Sequence, residues 1–277
     1  MFKRTLLSMI AFLIASPVGA APTPGPAVQE SAESLYRYAG LERQVPMLGA
    51  QIEQQLRSET PAGAAAMLEP MAAAAHRAFG APRMKHEILA DLRKSWNPAL
   101  ANEALKWLRS PIGRQVIQME EAASKPESQA ALESFAATFA TNPPEAQRVE
   151  AMRRLDRATR ATDLALSIMS TLARAIAHGA AAAQPGPASP GEIDAAIDGQ
   201  QAAMRKAIEG YNLVSFLHTY RDLSSEQLAE YLRFFDSPAG KWYSQTVGSA
   251  FARSMESASE RFAAELVALL PSTPPGR

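Results

Sequence analysis

Apolar positions recur at helical spacing along most of this chain, and two stretches show the pattern most plainly. In Ser224 to Phe251, Leu228, Tyr231, Leu232 and Phe235 fall at i, i+3, i+4 and i+7, one face of a helix. Ser237-Pro238 interrupts that run, and Ala239, Tyr243, Thr246, Val247 and Ala250 then mark the inner stripe of a second helix. The same order occurs at Asn97 to Met119, where Ala101, Ala104, Leu105 and Leu108 precede Ser110-Pro111. Elsewhere the periodicity predicts helices over Ser31–Leu56 with a bend at Val45-Pro46, from Thr60-Pro61 to Gly80 with an interruption at Glu69-Pro70, and over Pro82–Trp96. It also predicts helices over Glu127–Thr141, one long helix over Glu145–His178, and a further helix over Glu192–Leu223. No β-alternation bounded by hairpin signals is present, so the fold class is all-α.

The interruptions have a chemistry of their own. Ser224 and Gln227 have capping-box spacing, so each can bond the other's backbone N–H. Proline at 238 disfavours helical dihedrals at Ser237. Ser237 can then cap a new helix with Pro238 in its first position, where a missing N–H costs nothing. The two stretches align at an offset of 127 residues, pairing Trp107 with Phe234, Ser110 with Ser237, Pro111 with Pro238, Gly113 with Gly240 and Arg114 with Lys241. Upstream, Leu35, Leu48, Ile52 and Leu56 align with Leu155, Ile168, Leu172 and Ile176 at an offset of 120. A period this long suggests a duplicated unit, since solenoid repeats run to about 20–50 residues. The Pro/Gly-rich run from Gln184 to Gly191 is the natural site of the seven extra residues in the second copy.

The aromatic-x-x-Ser-Pro-x-Gly-basic run, carried by Trp107 to Arg114 and Phe234 to Lys241, resembles the bacterial exported family called domain of unknown function 2059. The likeness covers roughly 28 residues per copy. It implies a helical protein carrying a signal peptide, and it brings no catalytic residues with it.

The N-terminus agrees with export. Lys3-Arg4, the apolar run Leu6–Ala15 and the small residues Val18-Gly19-Ala20 read as a signal peptide over residues 1–20. The apolar run is short of the about 20 residues that span a bilayer, and no later segment is apolar enough to do so. Pro-rich residues 21–30 read as a tether, 31–142 and 143–270 as the two helical repeats joined by the long helix, and 271–277 as a disordered tail. Loss of residues 1–20 removes Lys3 and Arg4 and no acid, taking the net charge from 0 to −2. That balance argues against nucleic acid as a partner. The absence of cysteine excludes a disulfide framework, a thiol nucleophile and cysteine metal ligation.

Catalytic constellations are missing or incomplete. His76, His86, His178 and His218 are scattered, and His86-Glu87 lacks the second histidine of a zinc helix because position 90 is alanine. Glu103 and Glu230 recur in both copies but stand on the outer side of their helices. Ser-Pro-x-Gly-Lys fails as a Walker loop because Phe235 and Trp242 stand where glycine and Ser or Thr belong. Lys241 and Arg114 are instead expected to reach back to the carbonyls ending the preceding helix, and Gly113 and Gly240 to allow close helix approach. Anion binding at the corner is the alternative. Arg148 to Arg160 reads as a salt-bridged solvent face rather than a membrane-surface helix, with Glu150–Arg154 and Asp156–Arg160 as its pairs. The methionines, Met67, Met71, Met84, Met119, Met152, Met169, Met204 and Met255 among them, read as core filler.

These readings lead to an exported helical protein, periplasmic or alternatively secreted, with no cofactor, no metal site and no enzymatic activity, serving as a binding or scaffold module of the cell envelope. Its partner would be an envelope protein. Two alternatives stand beside it. One is a carrier or chaperone for an apolar ligand. The other is a hydrolase in which Glu103, Glu230, Tyr220 or Tyr231 converge.

Overall fold

Helix α1, Ala32–Tyr38, starts where the Ser31 hydroxyl accepts from the Ser34 N–H at 3.2 Å. The structure, a computed structural model, describes residues 31–59, 65–125, 128–183 and 189–269. The signal peptide, the tether, Thr60-Pro61, most of the Pro/Gly-rich run and the tail lie outside these residues. After α1 come α2 (Leu41–Glu59), α3 (Ala65–Ala78), α4 (Ala81–Lys94), α5 (Pro98–Leu108), α6 (Pro111–Ser124) and α7 (Ser128–Ala137). A 3-10 turn, Thr138–Ala140, follows α7. Then come α8 (Ala146–Thr159), α9 (Ala161–Ala183), α10 (Pro190–Thr219), α11 (Ser225–Asp236) and α12 (Pro238–Ala268). The described residues contain no β-strand, and the chain is all-α.

Three breaks differ from those expected. Pro46 and Pro70 lie inside α2 and α3, which run through them. The first helix breaks instead at Gly40, whose φ of 72° is left-handed. Glycine meets that conformation without a Cβ clash. The long helix expected over Glu145–His178 is divided at Arg160, with φ 58°. Here the Asp156 carboxylate accepts from the Thr162 N–H at 3.0 Å and hydroxyl at 2.7 Å, and from Asn212 Nδ2 at 3.2 Å. Those bonds offset the cost of a left-handed arginine, on the order of 1–3 kcal/mol. Gly40 and Arg160 stand 120 residues apart, the offset that relates the buried pairs Leu35 and Leu155, Leu48 and Ile168, and Ile52 and Leu172.

Helix α12 runs through the middle of the packing. It lies against α9 and α11, and also against α3, α4 and α5. Its tie to α3 and α4 is polar as well as apolar. Arg261 bonds the Glu87 carboxylate at 2.8 Å and the Ala78 carbonyl at 3.0 Å, and Ser254 donates to Glu87 at 3.0 Å. Helix α6, from the first half of the chain, packs on α10 and α11 from the second. The buried apolar side chains form one cluster reaching from Leu35 through Leu108 and Tyr231 to Phe262. Met84, Met152, Met169 and Met255 are inside it, Met119 and Met204 pack at its edge, and the side chain of Met67 lies outside the described set.

Candidate functional site

The two Ser-Pro corners are built alike. Ser110 accepts from the Gly113 N–H at 3.1 Å and Ser237 from the Gly240 N–H at 3.0 Å, with Pro111 and Pro238 opening the new helices. The glycines sit against the end of the preceding helix. A Cβ on Gly113 would lie 2.2 Å from the Trp107 carbonyl oxygen, and one on Gly240 would lie 2.0 Å from that of Phe234. Close approach is therefore required within each corner, between consecutive helices. Arg114 does reach back, donating to the Arg109 carbonyl at 2.9 Å. Lys241 is exposed and makes no such bond. The clamp exists in one corner only.

The aromatic residues that open the two motifs meet face to face. The Trp107 ring stacks on Phe234 at 4.2 Å and 7°, and on Tyr231 at 5.4 Å and 10°. Such stacking adds about 0.5–1.5 kcal/mol per pair beyond area burial. Gln227 donates to Gln115 at 2.8 Å alongside, and Trp242 meets Trp96 edge-on at 6.0 Å.

Next to this stack lies the ionisable cluster of the interior. Glu120, on the inner face of α6, is 1% exposed. Its Oε1 accepts from the Tyr220 hydroxyl at 2.5 Å and the Tyr231 hydroxyl at 3.0 Å, while Oε2 is buried without a partner. Burial pushes the Glu120 carboxyl up to about 8, against the pull of the two phenols, so it is largely protonated at neutral pH. Burial, and then the neighbouring Glu120, hold both tyrosines well above the ordinary phenol value. Tyr220 closes the end of α10, and Arg148 of α8 fastens that turn through the carbonyls of Tyr220 and Leu223.

Glu120 was legible in the sequence but passed over. Ile112, Val116 and Ile117 set the inner stripe of α6, and position 120 continues it. At the 127-residue offset the same place holds Val247.

Other expected residues fall apart from one another. Glu103 and Glu230 are exposed, so the two tyrosines converge on Glu120 and not on them. His76 and His86 are exposed, Glu87 is engaged by Arg261, and His178 faces Asp194 at 3.0 Å. No cluster of metal-ligating side chains occurs among the described residues. The pairs expected on α8 are replaced by others. Glu150 takes Arg157 at 2.7 Å, Arg154 takes Asp236, and Arg160 takes Asp163 at 3.5 Å. Asp156 is committed to the corner and Arg154 to Asp236, so neither expected i,i+4 pair forms.

Surface grooves open to solvent occur among the described residues. One of about 580 Å³ runs between α8 and α11 over Ala151, Leu228 and Leu232, with Arg148, Arg154 and Arg233 at its sides. One of about 400 Å³ lies between α6, α7 and the end of α10, beside Met119, His218 and Thr219. A further groove, of about 150 Å³, lies by Arg160 and Gly248. None of the three is lined by Glu120, Tyr220 or Tyr231. No helix among the described residues is long and apolar enough to cross a membrane. No protein-family model matches the chain, and neither the curated proteins nor the solved structures give a match.

Proposed function

We propose that this chain is an exported, periplasmic helical module of two tandem copies, acting by binding or scaffolding in the cell envelope rather than by catalysis. The observation that carries the reading is the closure of the Glu120–Tyr220–Tyr231 cluster. Its three side chains are 1–3% exposed, and both phenols donate to Glu120 Oε1. The residues of the recurring motif are spent on capping, close approach and stacking. Resemblance to the exported family of unknown function and the signal-like N-terminus support the location.

The test is to express the full chain, release the periplasm by osmotic shock and purify the protein natively. The expected result is recovery in the shock fluid with residues 1–20 removed, no apolar passenger in native mass spectrometry, and no turnover of ester, phosphoester, glycoside or peptide substrates. A co-purifying lipid would replace the reading with an apolar-ligand carrier. Turnover that falls on Glu120→Gln would replace it with an enzyme.

A further inference from the structure

Helices α8 and α11 run side by side in the same direction. Arg148 donates to the Leu223 carbonyl, just ahead of α11, at 3.2 Å, and Arg154 pairs with Asp236 at the far end of α11. The groove of about 580 Å³ between them takes one face of each helix, with Ala151 on one side and Ser225, Leu228, Ala229, Leu232 and Arg233 on the other. From position 225 to 233 it follows α11 for about 12 Å, a little over two turns. Leu228 and Leu232 are buried, and Ala151 and Ala229 beside them are half-buried. The apolar floor is therefore recessed between longer side chains. A flat lipid surface does not reach such a floor, whereas the protruding side chains of a third helix do.

The charges around this groove do not cancel. Arg148 spends its guanidinium on the carbonyls of Tyr220 and Leu223, which carry no net charge. Arg233 is exposed and forms no ion pair with a described residue. Arg154 is matched by Asp236, and Glu150 is shared by Arg157 at 2.7 Å and Arg153 at 3.9 Å. Glu145 stands at the N-cap of α8, where its charge is set against the positive end of that helix dipole. Because α8 and α11 are parallel, the positive ends of both dipoles lie at the Arg148 end of the groove. Glu226 and Glu230 of α11 are exposed but do not line it.

We infer that the α8–α11 groove docks an amphipathic helix of a partner protein, one with apolar residues at i, i+3 or i+4 and an excess of carboxylates on its flanks. The inference rests on the binding-module reading and gives it a surface and a partner chemistry. The apolar side chains of the partner seat over Ala151 and Ala229, against Leu228 and Leu232. Its carboxylates meet Arg233 and the positive end of the groove, which set the register and exclude basic helices.

The experiment is photo-crosslinking of the full chain in the cells that naturally make it. Benzoylphenylalanine replaces Ser225 at the rim of the groove and, in a separate chain, Gly210, which is exposed on α10 with nothing within 4 Å of an added Cβ. Adducts are digested and the cross-linked segment is sequenced by tandem mass spectrometry. The expected result is a protein adduct from position 225 and none from 210. The cross-linked segment should have helically spaced apolar residues and more Asp and Glu than Lys and Arg. Arg233→Glu should lower the adduct yield by about 10-fold, and Ala229→Phe, which fills the groove, should lower it as well. Arg233 is exposed, so its variant decides alone if Ala229→Phe does not fold. No adduct specific to position 225 would overturn the proposal. So would a basic segment, a lipid, a second copy of this chain, or a yield unchanged by Arg233→Glu. Each of these removes the groove alone, whereas the wider reading falls on a lipid passenger or turnover in the native purification above.

Discussion

Gly240→Ala lowers the melting temperature by about 8–16 °C, the shift expected when about 4 kcal/mol is lost from a domain of this size. The atoms that a new Cβ would meet decide the magnitude. Besides the Phe234 carbonyl oxygen at 2.0 Å, it would lie 2.6 Å from the Phe234 carbonyl carbon and 2.7 Å from Phe235 Cα, all backbone. No side-chain rotation relieves such contacts, so α11 and α12 must move apart. The movement disturbs Phe234 against Trp107 and Phe235 against Tyr243, rings at the centre of the core. Gly113→Ala acts on the other corner in the same direction, with its closest contact at 2.2 Å. Gly210→Ala is the control, because nothing lies within 4 Å of the added carbon. There the substitution raises stability by about 0.5–1 kcal/mol, as for any open helical glycine. Thermal melts of the three variants followed by far-UV circular dichroism check the set. An unchanged melting temperature in Gly240→Ala would remove the packing role of the corner.

The second large effect concerns pH. Glu120 has its carboxyl raised from 4.5 to about 8 in the folded protein. Between those values the folded state keeps a proton that the unfolded state has released. Its contribution is therefore fully present below about pH 4.5 and is lost as pH rises through about 8, at about 1.4 kcal/mol per pH unit. On the acid side the opposite holds for carboxylates lowered by partners, such as Asp91, held down by Arg253 and Lys94 against its own burial. His218, lowered chiefly by burial, also loses stability as pH falls. Wild-type stability should thus peak under mildly acidic conditions and decline toward pH 8. Glu120→Gln should remove most of the decline, and the difference between the two proteins isolates Glu120 from His218 and the other groups. Urea titrations at pH 5, 6, 7 and 8 measure it. Parallel wild-type and variant curves across that range would refute the assignment.

The sequence carried the corners well and the cluster poorly, for physical reasons. Capping is local chemistry. Ser224, Ser237 and Ser110 act on N–H groups three residues away, so their roles could be read without knowing the rest of the fold. The apolar stripes of α5 and α11 likewise placed Leu105, Leu108, Leu232 and Phe235 inside, where they are. The corner at Arg160 could not be read in this way. It depends on Asp156 and Thr162 meeting Asn212, 56 and 50 residues later, and arginine gives no local sign of a left-handed backbone. Pro46 and Pro70 misled for the converse reason. Proline weakens a helix locally, yet tertiary packing held both helices together. A glutamate beside a second glutamate reads as surface, and only the continuation of the α6 stripe says that one of the two faces inward.

The tandem-copy reading has a spatial consequence. Trp107 and Phe234, equivalent in the two stretches, stack on each other, while α12 lies on α3, α4 and α5 and α6 lies on α10 and α11. The halves are thus interleaved, and the corner of one half supports the core of the other. Differential scanning calorimetry of the wild-type chain beside Gly240→Ala tests this most directly. One transition is predicted for each protein, with equal calorimetric and van't Hoff enthalpies, and the substitution should shift the whole peak downward. Two separable transitions, of which only one responds to Gly240→Ala, would contradict it.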